Sequence, residues 1–153
     1  MKNNHSGIIL KPTNIYAIAI VSKFLLLAVI FLILAIMFFD ALIFISLALA
    51  AYMWYKFLSI ISINYIINNE TIVVRTGIIS RNFNSLELYR VKDYITNQSV
   101  IMRVFNVMTI TLMTTDETNP VLKLEGIPFS NIDETIRDLV QQNRRHNRIF
   151  ETI

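Results

Sequence analysis

Hydrophobic positions in the first third of the chain form one long run. Residues 24–55 read FLLLAVIFLILAIMFFDALIFISLALAAYMWY, and Asp40 is the only charged residue among them. As a single helix this run would be about 48 Å long at ~1.5 Å per residue, whereas the hydrocarbon core of a bilayer is about 30 Å thick. The pattern therefore predicts two membrane-spanning helices in a tight hairpin that turns near Asp40.

The flanks of the run indicate where the two spans begin and end. The first span is expected to run from about residue 15 or 22 to 39, and the second from about 41 to 58 or 61. Lys23 and Lys56 should then lie at the same membrane face, because their long stems let the ammonium groups reach the lipid headgroups. The aromatic residues expected to anchor the hairpin at this interface are Tyr52, Trp54 and Tyr55.

The basic residues around the hairpin predict its orientation. Lys2, Lys11 and Lys23 precede it, Lys56 and Arg75 follow it, and the turn carries neither Lys nor Arg. The positive-inside rule therefore predicts a multi-pass protein with both termini in the cytoplasm. The segment is too long for a cleaved signal peptide and lacks a small-residue cleavage site.

Asp40 has two interpretations. In the first it is a solvated turn residue at the outer membrane surface. In the second it is an ionisable group in a pore or proton path. A pore would require several copies of the hairpin, and the spans lack rows of polar residues to line it.

Beyond residue 63 the hydrophobic period changes to two. The segment INYIINNETIVVRTGIISRNFNSLELY alternates apolar and polar residues and is rich in β-branched and aromatic side chains, which is typical of strands. Turns are expected at 68–70, at Gly77, at 82–85 and at DETNP, residues 116–120. Together with VMTITLMTT and VLKLEGI, these segments predict a meander of about seven short strands.

Near the C-terminus the period becomes helical. The apolar positions with helical spacing are Ile132, Ile136, Leu139 and Val140. Ser130 or Asn131 would cap this helix, which is expected to close the open end of a curved antiparallel sheet. The chain thus divides into a cytoplasmic N-terminal segment, 1–14, a membrane hairpin, 15–61, and a mainly-β domain, 62–153.

Composition and charge narrow the possible partners. Only 16% of residues are charged, against about 25% in soluble domains, which agrees with a membrane segment. The net charge of +3 comes from residues 1–63, whereas residues 64–153 hold ten basic and ten acidic residues. Because the folded part has no net charge, binding to nucleic acid is not expected.

The sequence contains no recognisable catalytic or metal-binding set. It has no cysteine, and His5 and His146 lie at opposite ends of the chain. Neither histidine lies near a candidate serine in a plausible nucleophile elbow. The neighbouring carboxylates Asp116–Glu117 and Asp133–Glu134 have ordinary solvated explanations in a turn and at a helix start. No enzymatic activity, metal or cofactor is therefore expected.

One segment carries a family resemblance. The run YIINNETIVVRTGIISRN, followed by LELYRVKDYITNQSVIMRVFNVMTITLMTTD, resembles the bacterial pleckstrin-homology-like (PH-like) domains that are tethered behind two membrane helices. The matching features are the Gly77 turn, the step from Leu88 to Asp93 and the turn from Arg103 to Asn106. Asn106 stands where the family has glycine, and asparagine also tolerates a positive φ.

The resemblance implies a fold and a location. The fold is a bent antiparallel sheet of about seven strands with one C-terminal α-helix, and the location is the bacterial inner membrane. The resemblance implies no enzymatic activity and no single ligand, because a fold does not determine a function.

Five basic residues of the domain are candidates for binding an anion or a partner: Arg75, Arg81, Arg90, Lys92 and Arg103. Arg75 and Arg81 flank the Gly77 turn and are the best candidates for a phosphate contact, although one glycine does not make a phosphate loop. Arg90 has a structural alternative, in which it pairs with Asp93 or Asp93 caps the turn. Arg103 is expected to tie its turn to a neighbouring strand end.

The basic tail RRHNR, residues 144–148, also has more than one interpretation. It is either a solvated helix end or a contact for anionic lipid or for the acidic surface of a partner.

Three functions are compatible with these observations. The leading hypothesis is a non-enzymatic inner-membrane protein whose cytoplasmic domain is a docking, assembly or sensing module that binds a protein partner or a second copy. The second is a ligand-gated, membrane-perturbing effector of a bacterial defence system. The third is a module that binds anionic membrane lipid.

Overall fold

The computed structural model describes residues 7–38, 40–117 and 119–146. It contains two long helices, two antiparallel sheets and a C-terminal helix. The helices are α1 (Asn14–Met37), α2 (Leu42–Ile61), α3 (Val100–Val104) and α4 (Ile132–His146). The strands are β1 (Ile8–Leu10), β2 (Asn64–Ile67), β3 (Thr71–Thr76), β4 (Asn82–Glu87), β5 (Val91–Asn97), β6 (Val107–Thr114) and β7 (Val121–Pro128).

The helical hairpin has the expected limits. α1 begins near the earlier of its two expected starts, α2 ends at the later of its two expected ends, and Asp40 lies in the turn between them. The expected last residue of the first span, Phe39, is outside the described residues. Both helices are long and apolar enough to cross a membrane.

Small residues on α1 allow the two helices to pack closely. The buried positions of α1 are Ala17, Val21, Ala28 and Ala35. Facing them, the buried Ser46 hydroxyl of α2 donates a hydrogen bond to the Ala28 carbonyl oxygen at 3.0 Å. Most of the larger side chains point outward, as expected of helices in lipid.

The expectation of one bent sheet of about seven strands is wrong in its arrangement. The strands form a four-stranded sheet, β1-β2-β3-β4, and a three-stranded sheet, β5-β6-β7. The chain turns a corner through a 3₁₀ turn at Leu88–Arg90, and the β5–β6 register shifts between Val91 and Asp93. β5 therefore leaves β4 and pairs only with β6.

The four-stranded sheet takes its first strand from the segment before the hairpin. In the antiparallel β1–β2 pair, Ile8 lies opposite Ile67 and Leu10 opposite Tyr65. The hairpin is therefore inserted between two neighbouring strands, and its two ends are held together by the sheet.

The alternating apolar positions of both sheets form one core with α4. Its largest fully buried side chains include Ile67, Ile72, Leu86, Leu88, Ile110, Leu112, Leu124 and Ile136. Burial of each such side chain contributes about 1.5–3 kcal/mol. The expected helical face is confirmed, since Ile132, Ile136 and Val140 are buried and Leu139 packs at the edge of the core.

The strand registers give the sheet domain two distinct ends. The hairpin end comprises residues 11–16, 62–64, 75–83, 97–107 and 125–129, and it is where α1 begins and α2 ends. The capped end holds the turns at 68–70 and 115–120 and is covered by α4. There the Asn143 side chain donates to the Asn69 carbonyl oxygen at 2.6 Å, and Arg144 donates to the Lys92 carbonyl oxygen at 3.0 Å.

Candidate functional site

The first attachment between the hairpin and the sheet domain lies where α1 begins. The Thr13 amide donates to the Gly126 carbonyl oxygen at 2.8 Å, and the Tyr16 hydroxyl donates to the Glu125 carboxylate at 3.0 Å. Gly126 has a φ of +70°, and a Cβ at this position would overlap the Tyr16 ring. Glycine is therefore required here both for the backbone conformation and for the close approach of α1.

The same attachment continues into the core through Tyr65. The Glu125 amide donates to the Tyr65 hydroxyl at 3.0 Å, and Tyr65 is only 2% exposed. Burial raises the pKa of the Tyr65 phenol above its ordinary value, because the phenolate would lose its hydration. Tyr16, Glu125 and Tyr65 thus connect α1, β7 and β2.

The second attachment lies where α2 ends. The Ser62 hydroxyl donates to the Gly77 carbonyl oxygen at 2.9 Å. Gly77 has a φ of +107°, and a Cβ there would collide with the Ser80 carbonyl oxygen. The predicted glycine turn is confirmed, and it fixes the β3–β4 connection to the end of α2.

A cavity of about 370 Å³ opens beside this second attachment. Its lining includes Ser62, Asn64, Arg75, Gly77, Arg81 and Phe83. Arg75 and Arg81 approach it from either side of the glycine turn. The guanidinium carbon of Arg75 lies 5.4 Å from the centre of the Phe83 ring, a cation–π contact that orients the side chain.

The two arginines are exposed and open to a ligand. Across residues 7–38, 40–117 and 119–146, salt bridges to a carboxylate are made by Arg90 but by neither Arg75 nor Arg81. The lining also includes two exposed apolar side chains, Ile78 and Phe83. A cavity that combines two guanidinium groups with exposed apolar side chains can bind an anion that also carries an apolar part.

The hairpin end of the domain is more basic than the capped end. Among the described residues, the hairpin end carries the cations Lys11, Arg75, Arg81 and Arg103. Its one acidic residue in that set is Glu125, which accepts the Tyr16 hydrogen bond. The capped end carries acidic residues, including Glu70, Glu87, Asp116 and Glu117, together with the basic residues Arg90, Lys92 and Arg144. The neutral total charge of the domain conceals this polarity.

Arg90 and Lys92 lie away from the cavity, near the capped end. Arg90 pairs with Glu87 at 2.8 Å and with Asp116 at 3.4 Å. The expected ion pair with Asp93 is wrong, because Asp93 instead accepts the Tyr94 amide at 2.8 Å. Lys92 is exposed at the start of β5.

Arg103 lies on α3, at the hairpin end but apart from the cavity. Its side chain is exposed and makes no hydrogen bond within the described residues, so the expected tie to a strand end is not observed. The turn is held by its backbone, since the Phe129 amide donates to the Asn106 carbonyl oxygen at 2.8 Å. Asn106 has a φ of 51°, which confirms the expected positive φ.

The described part of the basic tail is structural at one residue. Arg144 is tied to the backbone of β5, as noted above, whereas the Arg145 side chain is exposed. Residues 147 and 148 lie outside the described residues.

Two of the expected interfacial residues of the hairpin, Lys23 and Tyr52, are linked through Phe24. The Lys23 ammonium is 5.2 Å from the centre of the Phe24 ring, and that ring is 5.2 Å from the Tyr52 ring in an edge-to-face contact. On α2, Trp54 and Phe57 also have their ring centres 6.3 Å apart. The level of Lys23 therefore matches the aromatic part of α2, whereas anchoring in lipid stays a prediction.

Comparison with known proteins agrees with this architecture. The sequence model of the family described as Bacterial PH domain matches residues 15–144. No curated protein and no solved structure matches the chain. The matched range covers the hairpin and the sheets together, and the two attachments join these same parts. The chain therefore belongs to the bacterial PH domain family.

Proposed function

We propose that this chain is a non-enzymatic integral membrane protein whose PH-like domain senses the anionic phosphate headgroups of the leaflet from which it projects. The hairpin crosses the bacterial inner membrane with both termini in the cytoplasm. The observation that carries the proposal is the convergence of Arg75 and Arg81 on one cavity at the hairpin end.

The depth of the hairpin supports this assignment. A hydrocarbon core of about 30 Å takes up about 20 residues of each helix. Counted back from the turn, these residues are used up at Ile18 in α1 and at Ile61 in α2. Ser62, which lines the cavity, is the next residue. The cavity is therefore expected to open at the level of the lipid headgroups.

The two lysines fit the same depth. Lys23 and Lys56 each lie 15 residues from the hairpin turn, counted from Phe38 and from Ala41. That spacing is about 22 Å along each helix. The backbone at both lysines is then about 8 Å short of the headgroups, and the lysine stems can span most of that distance and bring the ammonium groups towards the headgroups.

The expected energetic effect is modest and measurable. A cation close to an anionic membrane surface contributes about 1 kcal/mol, and a guanidinium can bind a phosphate with two parallel hydrogen bonds. Two arginines acting together would contribute about 2 kcal/mol, or roughly a thirtyfold preference for an anionic lipid.

We propose no enzymatic activity, and the buried polar side chains of the described core have structural partners. In the described part of the chain, no group of three histidine or acidic side chains is placed to hold a metal ion. The buried polar side chains Ser46 and Asn143 both donate to backbone carbonyl oxygens. Their role in the fold is accounted for without a reaction.

Lipid retention in native mass spectrometry tests the proposal. The full-length chain would be extracted from vesicles of equal phosphatidylglycerol and phosphatidylcholine, as wild type and as the double variant R75Q/R81Q. A matched control, K92Q/R137Q, removes two exposed cations remote from the cavity. Wild type and control should retain phosphatidylglycerol, and R75Q/R81Q should lose it. Equal retention by all three proteins would refute the role of the cavity.

A protein-docking role is a second candidate, favoured by β5. β5 is an edge strand of its sheet, and six of its seven residues are not buried. Such an edge can accept a strand from a partner or from a second copy, although the charged Lys92 opposes pairing near the start of β5. Native mass spectrometry of protein from its own host would support docking if it showed a homo-oligomer or a co-purifying protein. A bare monomer would contradict it.

A further inference from the structure

The short helix α3 and its flanks carry an exposed apolar surface. The exposed fractions are 76% for Val100, 64% for Ile101, 75% for Val104 and 46% for Phe105. The helix is fixed at its start, where the Ser99 hydroxyl oxygen accepts the Met102 amide at 3.3 Å. Residues four apart lie on one helix face, so Val100 and Val104 form one pair and Ile101 and Phe105 another. Four adjacent exposed apolar side chains are unfavourable in water.

This surface lies against the start of α1. Ile101, Met102 and Phe105 share a small apolar cleft with Ile15 and Ala19. α3 is therefore at the depth of the first turns of α1. Ile18 lies between Ile15 and Ala19, and it is the residue at which about 30 Å of hydrocarbon would end.

We infer that the α3 segment, residues 99–105, is inserted at the boundary between the headgroups and the acyl chains of the leaflet beside α1. This inference rests on the membrane crossing of the hairpin in the proposed function, but not on the Arg75–Arg81 cavity. The apolar side chains face the acyl chains, and the exposed Arg103 on the same segment extends to the phosphates, as long basic side chains do at interfaces.

The insertion has a consequence for the orientation of the whole domain. α3 lies beside the start of α1, whereas the exposed Ile78 and Ile79 lie on the connection that is fixed to the end of α2. The domain then contacts the leaflet at two places, one beside each helix of the hairpin. Two such contacts, added to the two attachments, hold the cavity against the membrane and prevent the domain from tilting away.

Spin labels can test the insertion directly, because the chain contains no cysteine. Full-length single-cysteine variants V104C and T115C would carry a nitroxide in vesicles of phosphatidylglycerol and phosphatidylcholine. Thr115 is an exposed residue at the capped end. Oxygen concentrates in the bilayer, whereas a nickel chelate stays in water, so the ratio of the two relaxation effects reports depth. The ratio of the oxygen effect to the nickel effect should be well above the T115C value for the V104C label.

Two outcomes would overturn the inference. If V104C were as accessible to the nickel chelate as T115C, α3 would lie in water. If V104C were shielded from both reagents, α3 would be covered by protein, such as a second copy. A third label, V29C, tests the shared basis. Val29 is an exposed residue of α1 nine residues from Phe38, about 14 Å along the helix, so its label must report deep lipid if the hairpin crosses the membrane. A V29C label in deep lipid together with a water-exposed V104C label would overturn the insertion alone.

Discussion

Replacing Gly126 with alanine should loosen the attachment between the hairpin and the sheet domain. Gly126 lies in β7 where the register with β6 shifts between Met108 and Ile110, so the strand bulges towards α1. An alanine Cβ would overlap the Tyr16 ring, and the alanine would have to adopt a φ of +70°. The substitution therefore strains the backbone and displaces Tyr16 from Glu125.

The size of the effect follows from these two contributions. A left-handed conformation costs a residue with a Cβ about 1–2 kcal/mol. Loss of the hydrogen bond between the Tyr16 hydroxyl and the Glu125 carboxylate costs about 1.5 kcal/mol, the lower end for a charged acceptor, because the site is partly exposed. The total of about 3 kcal/mol should lower the Tm of a chain of this size by roughly 6–12 °C.

A double-mutant cycle separates the two contributions. Thermal unfolding of the full-length chain in mild detergent would be measured for G126A, Y16A and G126A/Y16A. With Tyr16 removed, the alanine meets no ring, so only the backbone strain should remain and G126A should cost about 1–2 kcal/mol. Equal costs for G126A with and without Tyr16 would refute the contact between the two residues.

Three further predictions concern single hydrogen bonds and one ionisation. S62A should lower stability by about 1 kcal/mol through loss of the bond to Gly77; the control S22A, whose hydroxyl bonds to the Ala19 carbonyl oxygen within its own helix, should change the Tm little. S46A should lower the free energy of unfolding by about 0.6 kcal/mol, the average for an interhelical hydrogen bond in a membrane. The measured decrease in Tm should be larger for S46A than for S22A. The pKa of Tyr65 is raised in the folded state, so the unfolded chain loses the phenol proton first and the Tm should fall as pH rises above about 10. Y65F should make the fall of Tm with pH less steep. An unchanged dependence of Tm on pH would contradict the raised pKa of Tyr65.

Much of the architecture could be predicted from the spacing of the hydrophobic residues along the chain. The apolar run around Asp40, the alternation after residue 63 and the helical spacing after Ser130 each predict the type of element that forms. The turn expected at 82–85 is wrong, because these residues lie within β4. The juxtaposition of Arg75 and Arg81 was also predictable, because residues flanking a tight turn between paired strands come together. These features depend on neighbours along the chain.

Features that depend on long-range pairing could not be predicted. β1 is only three residues long, too short to show alternation, and its partner β2 follows the whole hairpin. Tyr16 and Glu125 are 109 residues apart, and only the glycine within β7 signals a close approach at that position. The charge polarity was missed because it requires knowing which strand ends share one end of the domain.

The error at Arg90 has a similar cause. Arg90 is the last residue of the 3₁₀ turn, whereas Asp93 lies in β5 beyond the register shift that follows Val91. The corner at Leu88–Arg90 instead turns Arg90 towards Asp116, which follows β6. Proximity along the chain was a poor guide because the chain changes direction at that point.

The central claim is that the hairpin end of the domain faces the headgroups of its own leaflet. The most direct measurement is ³¹P relaxation of lipids in bicelles of phosphatidylglycerol and phosphatidylcholine that contain the full-length variant I79C with a nitroxide. Ile79 is 95% exposed and follows Ile78, which lines the arginine cavity, and T115C at the capped end is the control. A label at 79 should broaden the headgroup signals, that of phosphatidylglycerol most, while a label at 115 broadens neither. Equal broadening from the two positions would contradict the account.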